Sequence, residues 1–418
     1  MPNSLSSCGV AHLRPSAALA LLLGGLLAAG GAAAGAGAAD HAAANAAGAT
    51  AATANTAASN AAATGAATAS VATADTKTSP AARLIELGIP VSSKPVRERP
   101  GWRPPHIVLV SEQLHELLPQ LKQAAPGVKL IEFPTATASD IAAADALIGI
   151  CSDEVLGQAK RLEWIQWAAA GVERCVHQPL VRERGLLVTN AQRVAGPSMA
   201  EHVLAMMLAL SRHLGDFLRA QQQAHWVKDE APELEDLEGR TLLVVGLGGI
   251  GTEVARRAHA FGMRVIATRA SGHSGPDFVS YVGTPDELLK LAHEADFLAN
   301  CAPLTKETTG IFNREFFAAL KPGAYFLSVG RGRSTVTADL IAALASGRLA
   351  GAGLDVTDPE PLPADSPLWR LPNVIITPHI SGNSPATEEQ YATLLTENLR
   401  RYVAGEPMLA VVDVERGY

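Results

Sequence analysis

Short apolar runs alternate with amphipathic stretches along the chain from residue 106 onward. The runs are rich in valine, isoleucine and leucine, which predicts buried strands, and the stretches between them have the apolar spacing of helices. The first strands are predicted at 106–110, 131–133, 146–150, 164–168 and 186–189. Strands separated by helices predict an α/β fold in which helices cover both faces of a parallel sheet.

A long amphipathic segment covers about residues 199–223. Ser198 and Glu201 have the spacing of a capping box at its start. Its apolar positions recur with the spacing of one buried stripe: Met199, Val203, Met206, Leu210, Leu214 and Phe217. The pattern predicts one continuous helix.

A glycine-rich turn directly follows a predicted strand at 241–245, and a helix (252–261) and a second strand (264–268) come after it. In this context the glycines allow a sharp turn, close approach of the backbone to a pyrophosphate and tight helix packing. The helix N-terminus attracts phosphate groups, although a glycine-rich turn without a ligand stays the alternative. The predicted dinucleotide-binding residues are Gly246, Gly248, Gly249, Ile250 and Gly251.

The residue after the second of these strands bears on the choice of cofactor. A carboxylate there would bond the ribose 2′-OH of NAD, but this position holds Arg269, and Ser271 follows it. A guanidinium can pair with a 2′-phosphate, and a hydroxyl can add a hydrogen bond. We therefore expect NADP to be preferred over NAD, unless Arg269 is only a solvated surface residue.

Four further strands, at 297–300, 324–329, 353–356 and 374–376, complete a predicted six-stranded sheet, and three of them precede chemically active residues. These residues are Arg331, Glu360 and His379, which should meet at the carboxyl edge of the sheet. Reduction of a 2-oxo acid by hydride needs a cation for the carboxylate and carbonyl, a proton donor for the oxygen, and a carboxylate that orients that donor. We assign these tasks to Arg331, His379 and Glu360, respectively.

With these motifs, residues 106–418 resemble the D-isomer-specific 2-hydroxyacid dehydrogenase family, in its glyoxylate/hydroxypyruvate reductase-like branch. The resemblance rests on the GLGGIG turn and on the segments 329–332, 351–356, 358–362 and 377–382. It implies that Arg331, Glu360 and His379 are catalytic, and that Asp355 bonds the nicotinamide carboxamide. It also implies substrate binding by the backbone of Ala170 and Gly171, and a cofactor-lining loop that contains Cys301 and Pro303.

The family resemblance also implies two Rossmann-like, doubly wound, parallel-sheet domains, of which the substrate domain is discontinuous. We expect substrate-domain segments at 106–207 and 384–418, and an NAD(P)-binding domain at 208–383. The long helix would then be a hinge and part of a homodimer interface. Trp164 and Trp167 flank the substrate loop and are expected in the core, although Trp167 would limit substrate size if it faced the pocket.

The N-terminal residues have the features of a targeting segment followed by a linker. Arg14, an apolar run at 17–29 and an Ala-x-Ala site at 36–38 predict a signal peptide over 1–38, with a periplasmic or secreted product. If translation starts downstream instead, the protein is cytoplasmic. Residues 39–105 are rich in alanine, threonine and proline, which predicts a disordered linker whose last part, 81–105, is an extended lead-in.

Charge and cysteine content exclude several classes of protein. Only four charged residues precede residue 81 and they sum to zero, so the net charge of −7 belongs to the remainder, which has no basic stripe for nucleic acid. No apolar run in 81–418 is long enough to span a membrane. The cysteines are Cys8, Cys151, Cys175 and Cys301; their spacing indicates no metal site and no disulfide framework, so we expect free buried thiols.

Two functions of different classes remain. The first is hydride transfer from NADPH (or NADH) to a small 2-oxo acid such as glyoxylate or hydroxypyruvate, which gives the D-2-hydroxy acid. The second is a dinucleotide-binding sensor or regulatory protein that keeps the fold without significant turnover. The complete set of Arg331, Glu360 and His379 favours the enzyme, and the N-terminal leader favours a less usual role.

Overall fold

The computed structural model describes residues 80–229 and 231–417. The predicted signal peptide and most of the predicted linker lie outside these residues. The described chain begins with helix α1 (Pro80–Glu86) and strand β1 (Val91–Pro95), which pairs antiparallel with a strand at 407–409. Leu84, Ile89 and Val96 are buried in this region, so residues 80–105 differ from the predicted extended lead-in because their apolar side chains have a core to join.

Five parallel strands form the first sheet: β2 (Ile107–Ser111), β3 (Lys129–Phe133), β4 (Ala146–Ile148), β5 (Trp164–Gln166) and β6 (Leu187–Thr189). The strand order is β3-β2-β4-β5-β6. Both faces are covered, since Val108 and Val110 of β2 enter one apolar cluster and Leu109 between them enters another. The helices between these strands are α2 (Leu118–Ala124), α3 (Ala138–Ala143), α4 (Asp153–Gln158), α5 (Glu173–Val176) and α6 (Pro179–Glu183).

The predicted long helix is broken into α7 (Gly196–Ser211) and α8 (Leu214–Gln222). His213 between them has a left-handed backbone with φ of 52°, which a continuous helix does not allow. The capping-box prediction is also wrong, because the helix begins before Ser198. The Ser198 hydroxyl is hydrogen-bonded to Ser384 (2.8 Å) instead, and Glu201 contacts Arg257 (3.2 Å).

Seven parallel strands form the second sheet, in place of the six predicted: β7 (Thr241–Val245), β8 (Arg264–Thr268), β9 (Tyr281–Gly283), β10 (Phe297–Asn300), β11 (Ala324–Ser328), β12 (Leu349–Leu354) and β13 (Val374–Ile376). The order is β13-β12-β11-β10-β7-β8-β9, so the unpredicted strand β9 lies at one edge. The principal helices here are α9 (Gly249–Ala260), α10 (Leu288–Ala292), α11 (Arg314–Ala319) and α12 (Thr337–Ala345). The two parallel sheets confirm the predicted α/β fold.

The chain returns to the first sheet at its C-terminal end. Helix α13 (Pro385–Ala404) packs Leu395, Leu399 and Tyr402 into the apolar cluster of that sheet, and β14 (Pro407–Leu409) follows. Asn398 of α13 donates to the side chain of Gln166 in β5 (2.8 Å). The domain boundaries given above stay predictions.

One disulfide joins Cys151 and Cys175, whose Cα atoms are 5.5 Å apart. The expectation of free thiols is therefore wrong for this pair and correct for Cys301, which is free and buried. Spacing alone could not reveal the bond, because it depends on the packing of α5 beside the segment after β4. Among the described residues, no helix has the length and apolar character needed to cross a bilayer.

Candidate active site

The glycine-rich turn joins β7 to α9 at the carboxyl edge of the second sheet. Gly246 has φ of 93°, and a side chain there would bring Cβ to 2.7 Å from the Cα of Ala302. Helix α9 begins at Gly249, earlier than predicted, and in the described chain the N–H groups of Gly249, Ile250 and Gly251 donate to no acceptor. Three open donors at a positive helix end, with Gly248 leaving open space above them, suit a pyrophosphate.

Arg331 follows β11 and lies directly against the predicted substrate loop. Its Nη1 donates to the carbonyl of Gly330 (2.8 Å), and its Nε is 3.3 Å from Oε1 of Glu173. Any side chain on Gly171 would overlap the guanidinium. The structure therefore brings together Arg331 and Gly171, which are far apart in sequence.

The predicted substrate loop around Ala170 and Gly171 has hydrogen-bonded carbonyl groups and, within the described residues, unbonded N–H groups. The carbonyl of Ala170 accepts from the side chain of Asn190 (2.7 Å), and that of Gly171 accepts from the indole of Trp167 (2.7 Å). Within the described residues, the N–H groups of Ala170 and Gly171 donate no hydrogen bond. Fixed amides that present only donors can hold a carboxylate, and Arg331 beside them adds a positive charge.

His379 and Glu360 form a direct pair. Nδ1 of His379 is 2.7 Å from Oε1 of Glu360, and both side chains are partly exposed. His379 has a left-handed backbone (φ 54°), and its N–H donates to the carbonyl of Asp355 (2.9 Å). Because Nδ1 is engaged, Nε2 is the ring nitrogen that can exchange a proton with a ligand.

Asp355 anchors the loop that carries His379. Its buried carboxylate accepts from the hydroxyl of Thr377 (2.6 Å) and from the N–H groups of Ile380 and Ser381 (3.0 Å each). Burial opposes ionisation, but hydrogen bonds from Ser381, Thr377 and Ile380 outweigh it and hold the pKa of Asp355 below its ordinary value. The structure thus gives Asp355 a positioning task, and its contact with nicotinamide stays a prediction.

The strand-end loops pack on one another along the sheet edge. Gly330 lies against Ala302, whose carbonyl oxygen would be 2.7 Å from a Cβ atom placed on Gly330. Gly332 packs against the backbone of Thr357 so closely that no side chain fits. The loop of Arg331 thereby contacts both the loop lining the glycine-rich turn and the loop leading to Glu360. A cation, an imidazole with its carboxylate, and an open phosphate cradle occur on one edge, as hydride reduction of an oxo acid requires.

Comparison with known proteins assigns this arrangement to a family. Residues 204–381 match the model for "D-isomer specific 2-hydroxyacid dehydrogenase, NAD binding domain". A glyoxylate/hydroxypyruvate reductase B from Pectobacterium carotovorum is 31% identical over 308 residues, which cover 72% of this chain and 96% of that protein. The chain belongs to the D-isomer specific 2-hydroxyacid dehydrogenase family.

Solved structures agree with this membership. A D-isomer specific 2-hydroxyacid dehydrogenase from Xanthobacter autotrophicus, in complex with NADPH and MES, is 29% identical with a TM-score of 0.64 and covers 76% of this chain and all of that one. An NADPH-dependent glyoxylate/hydroxypyruvate reductase from Sinorhizobium meliloti, with NADP and sulfate, is 27% identical with a TM-score of 0.65 and covers 75% of this chain and 99% of that one. Membership makes the chain an NAD(P)-dependent 2-hydroxyacid dehydrogenase.

The remaining predicted cofactor residues lie around the same turn. Arg269 follows β8, is partly exposed and donates from Nη1 to the carbonyl of Ser274 (3.0 Å), while Ser271 is exposed. Cys301 is buried behind the turn, and burial raises the pKa of its thiol to about 12, so it stays protonated. Pro303 is exposed in the neighbouring loop, where its carbonyl accepts from Thr308 (2.7 Å).

Sequence reasoning missed two charged side chains of this dehydrogenase. Glu173 contacts Arg331, and the only local signal was a carboxylate two residues after Gly171. Arg193 packs against Gly249 in the glycine-rich turn. A Cβ atom placed on Gly249 would lie 3.1 Å from the Cα of Arg193. Burial, together with nearby Arg269, lowers the pKa of Arg193. Trp164 is in the core as expected, stacked on Tyr402.

Proposed function

We propose that this protein reduces a small 2-oxo acid, glyoxylate or hydroxypyruvate before larger ones, to the D-2-hydroxy acid, with NADPH preferred over NADH. The observation that carries the proposal is the position of Arg331 against the open N–H groups of Ala170 and Gly171. This cradle suits a carboxylate next to a polarisable carbonyl. The relatives from Pectobacterium and Sinorhizobium are glyoxylate/hydroxypyruvate reductases, which supports a small substrate.

The chain's own groups divide the chemistry between them. Arg331 and the two backbone N–H groups bind the substrate carboxylate, and the guanidinium also polarises the ketone. Protonated His379 gives the ketone oxygen its proton from Nε2, while Glu360 on Nδ1 holds the ring in that orientation. The glycine-rich turn from Gly246 to Gly251 would hold the dinucleotide, which in its reduced form would supply the hydride for C2. Asp355 keeps His379 at the sheet edge by fastening residues 377–381.

Assay of NADPH oxidation against a panel of 2-oxo acids tests this function. We expect turnover with glyoxylate and hydroxypyruvate and slower turnover as the substituent on C2 grows, because the large indole of Trp167 lies at the substrate loop, bonded to the carbonyl of Gly171. The alternative is a dinucleotide-binding sensor, which the N-terminal leader favours. Binding of NADPH without oxidation by any acid in the panel would support the sensor and overturn the enzyme.

Cofactor preference gives a specific prediction at Arg269. Arg269→Ala should raise KM for NADPH by about tenfold, since a 2′-phosphate loses a charge-assisted partner, and should leave KM for NADH nearly unchanged. Steady-state kinetics with both cofactors measure this. Ser271→Ala serves as the matched control, with a smaller effect in the same direction. Equal losses for NADPH and NADH would show that Arg269 does not select the phosphate.

We infer a homodimer from an apolar surface near the predicted hinge. Leu214 and Leu218 lie one turn apart on α8 and are exposed, and Trp226 beyond the helix is 89% exposed. Large exposed apolar side chains that follow one another along this segment favour a protein interface. Light scattering of the purified protein measures the molar mass, and a monomer at micromolar concentration would contradict the inference.

We also propose that the leader exports the protein. The Cys151–Cys175 disulfide supports this, because disulfides persist in oxidising compartments and are rare in the cytosol. N-terminal sequencing of the mature protein tests it: cleavage after residue 38 supports export, and a start downstream of the apolar run supports a cytoplasmic protein.

A further inference from the structure

Helix α5 carries two groups that bear on the position of Arg331. Its first residue, Glu173, has its Oε1 3.3 Å from Nε of Arg331, and the two side chains are only 23% and 32% exposed. Because Nη1 of Arg331 is held by the carbonyl of Gly330, the guanidinium is fixed at two of its edges by the protein itself. Its remaining nitrogen, Nη2, faces Gly171 and the open amides.

A helix of this length does not hold itself in place. It contains four residues, which is one turn, and within the described part of the chain no side chain caps its N-terminus. Isolated helices so short are unstable in water, so tertiary contacts must fix the helix. The third residue of the helix, Cys175, is fully buried and bonded to Cys151.

The other end of this bond is attached to the first sheet. Cys151 lies two residues after Gly149, whose N–H donates to the carbonyl of Gln166 in β5 (2.9 Å). The disulfide therefore ties α5 to the strand ends on which the substrate loop is built. Cys175 lies two residues from Glu173 and four from Gly171, so this covalent link is close to both the carboxylate and the loop, beside the buried Val172 and Val176 that pack the same segment.

We propose that Glu173 is a positioning residue for Arg331, and that the Cys151–Cys175 disulfide holds Glu173 in that position, so that capture of the substrate carboxylate depends on the oxidised cysteine pair. The inference rests on the proposed function, which supplies the carboxylate. Reduction consumes a dithiol: two electrons and two protons convert the disulfide into two thiols, and the dithiol becomes a disulfide.

The first experiment compares oxidised and dithiothreitol-reduced wild-type protein. Thiol titration in denaturant should count two more thiols after reduction. KM for the 2-oxo acid should then rise about tenfold, as one charge-assisted interaction is displaced, while KM for NADPH stays unchanged. The C151S/C175S variant should resemble the reduced wild type and should not respond to dithiothreitol. Reduced protein with the KM of the oxidised protein would overturn the inference.

The second experiment asks whether the disulfide acts through Glu173. Glu173→Gln should raise KM for the oxo acid in the oxidised protein, and Glu173→Asp should restore part of the loss. Reduction of the Glu173→Gln variant should then add little, because both changes remove the same interaction. If the effects of Glu173→Gln and of reduction on KM were fully additive, Glu173 and the disulfide would act independently, and the proposed link between them would be refuted.

A readout without turnover separates this inference from the proposed function. Oxamate mimics a 2-oxo acid but accepts no hydride, and its binding is measured by tryptophan fluorescence, since the Trp167 indole bonds the carbonyl of Gly171. We expect oxidised protein to bind oxamate about tenfold more tightly than reduced protein. If this holds while no 2-oxo acid is reduced, the proposed function fails and the redox-dependent anion site stands. If turnover occurs but oxamate binds equally in both states, only this inference fails.

Discussion

His379→Ala should lower kcat for reduction of a 2-oxo acid by about 10²–10⁴-fold and leave the affinity for NADPH nearly intact. The variant removes the proton donor at Nε2 while the glycine-rich turn, Asp355 and Arg331 keep their places. Without a donor in the site, the developing alkoxide must take its proton from solvent. Steady-state NADPH oxidation measures kcat, and fluorescence titration measures cofactor affinity.

Glu360→Gln is the matched control for this prediction. It keeps a hydrogen-bonding group next to Nδ1, which is 2.7 Å from the present carboxylate, but it removes the negative charge that faces the ring. We expect a smaller loss of kcat than for His379→Ala, because the proton donor itself stays in place. A His379→Ala variant that turns over near the wild-type rate would eliminate the acid role of His379.

The chemistry of the sheet edge could be predicted because it depends on local signals. A strand whose two faces are both buried is a continuous apolar run in the sequence. In β7, for example, Leu242 and Leu243 pack into apolar clusters on opposite faces of the sheet. Once the strands are known to be parallel, their carboxyl ends must share one edge. The positions of Arg331 and of the paired His379 and Glu360 follow from that topology.

Other features depend on single backbone conformations or on distant partners. The apolar stripe of the long segment continues across His213, so its periodicity gives no sign of the break between α7 and α8. Strand β9 has a single buried apolar side chain, Val282, between an exposed tyrosine and a glycine, so no apolar run marks it in the sequence. The contact of Glu173 with Arg331 and the bond between Cys151 and Cys175 arise only when the loops meet in three dimensions.

Arg331→Lys should lower kcat/KM for the 2-oxo acid by about 10²–10³-fold, the usual cost of removing one donor aimed at developing negative charge. Lysine keeps a positive charge near Glu173, so the loss measures geometry more than net charge. The ammonium group cannot hold the carbonyl of Gly330, Glu173 and a substrate oxygen in the planar arrangement of a guanidinium. Both a rise in KM and a fall in kcat are expected, because the guanidinium serves the carboxylate and the ketone.

Arg333→Lys is the matched control for Arg331→Lys. Arg333 lies two residues further along the same segment, but it is exposed, so the same exchange there should be neutral. If Arg331→Lys kept kcat/KM within a few-fold of wild type, the cradle would need only a positive charge. The open N–H groups of Ala170 and Gly171 would then carry substrate recognition, and the fixed guanidinium would be a feature of packing rather than of catalysis.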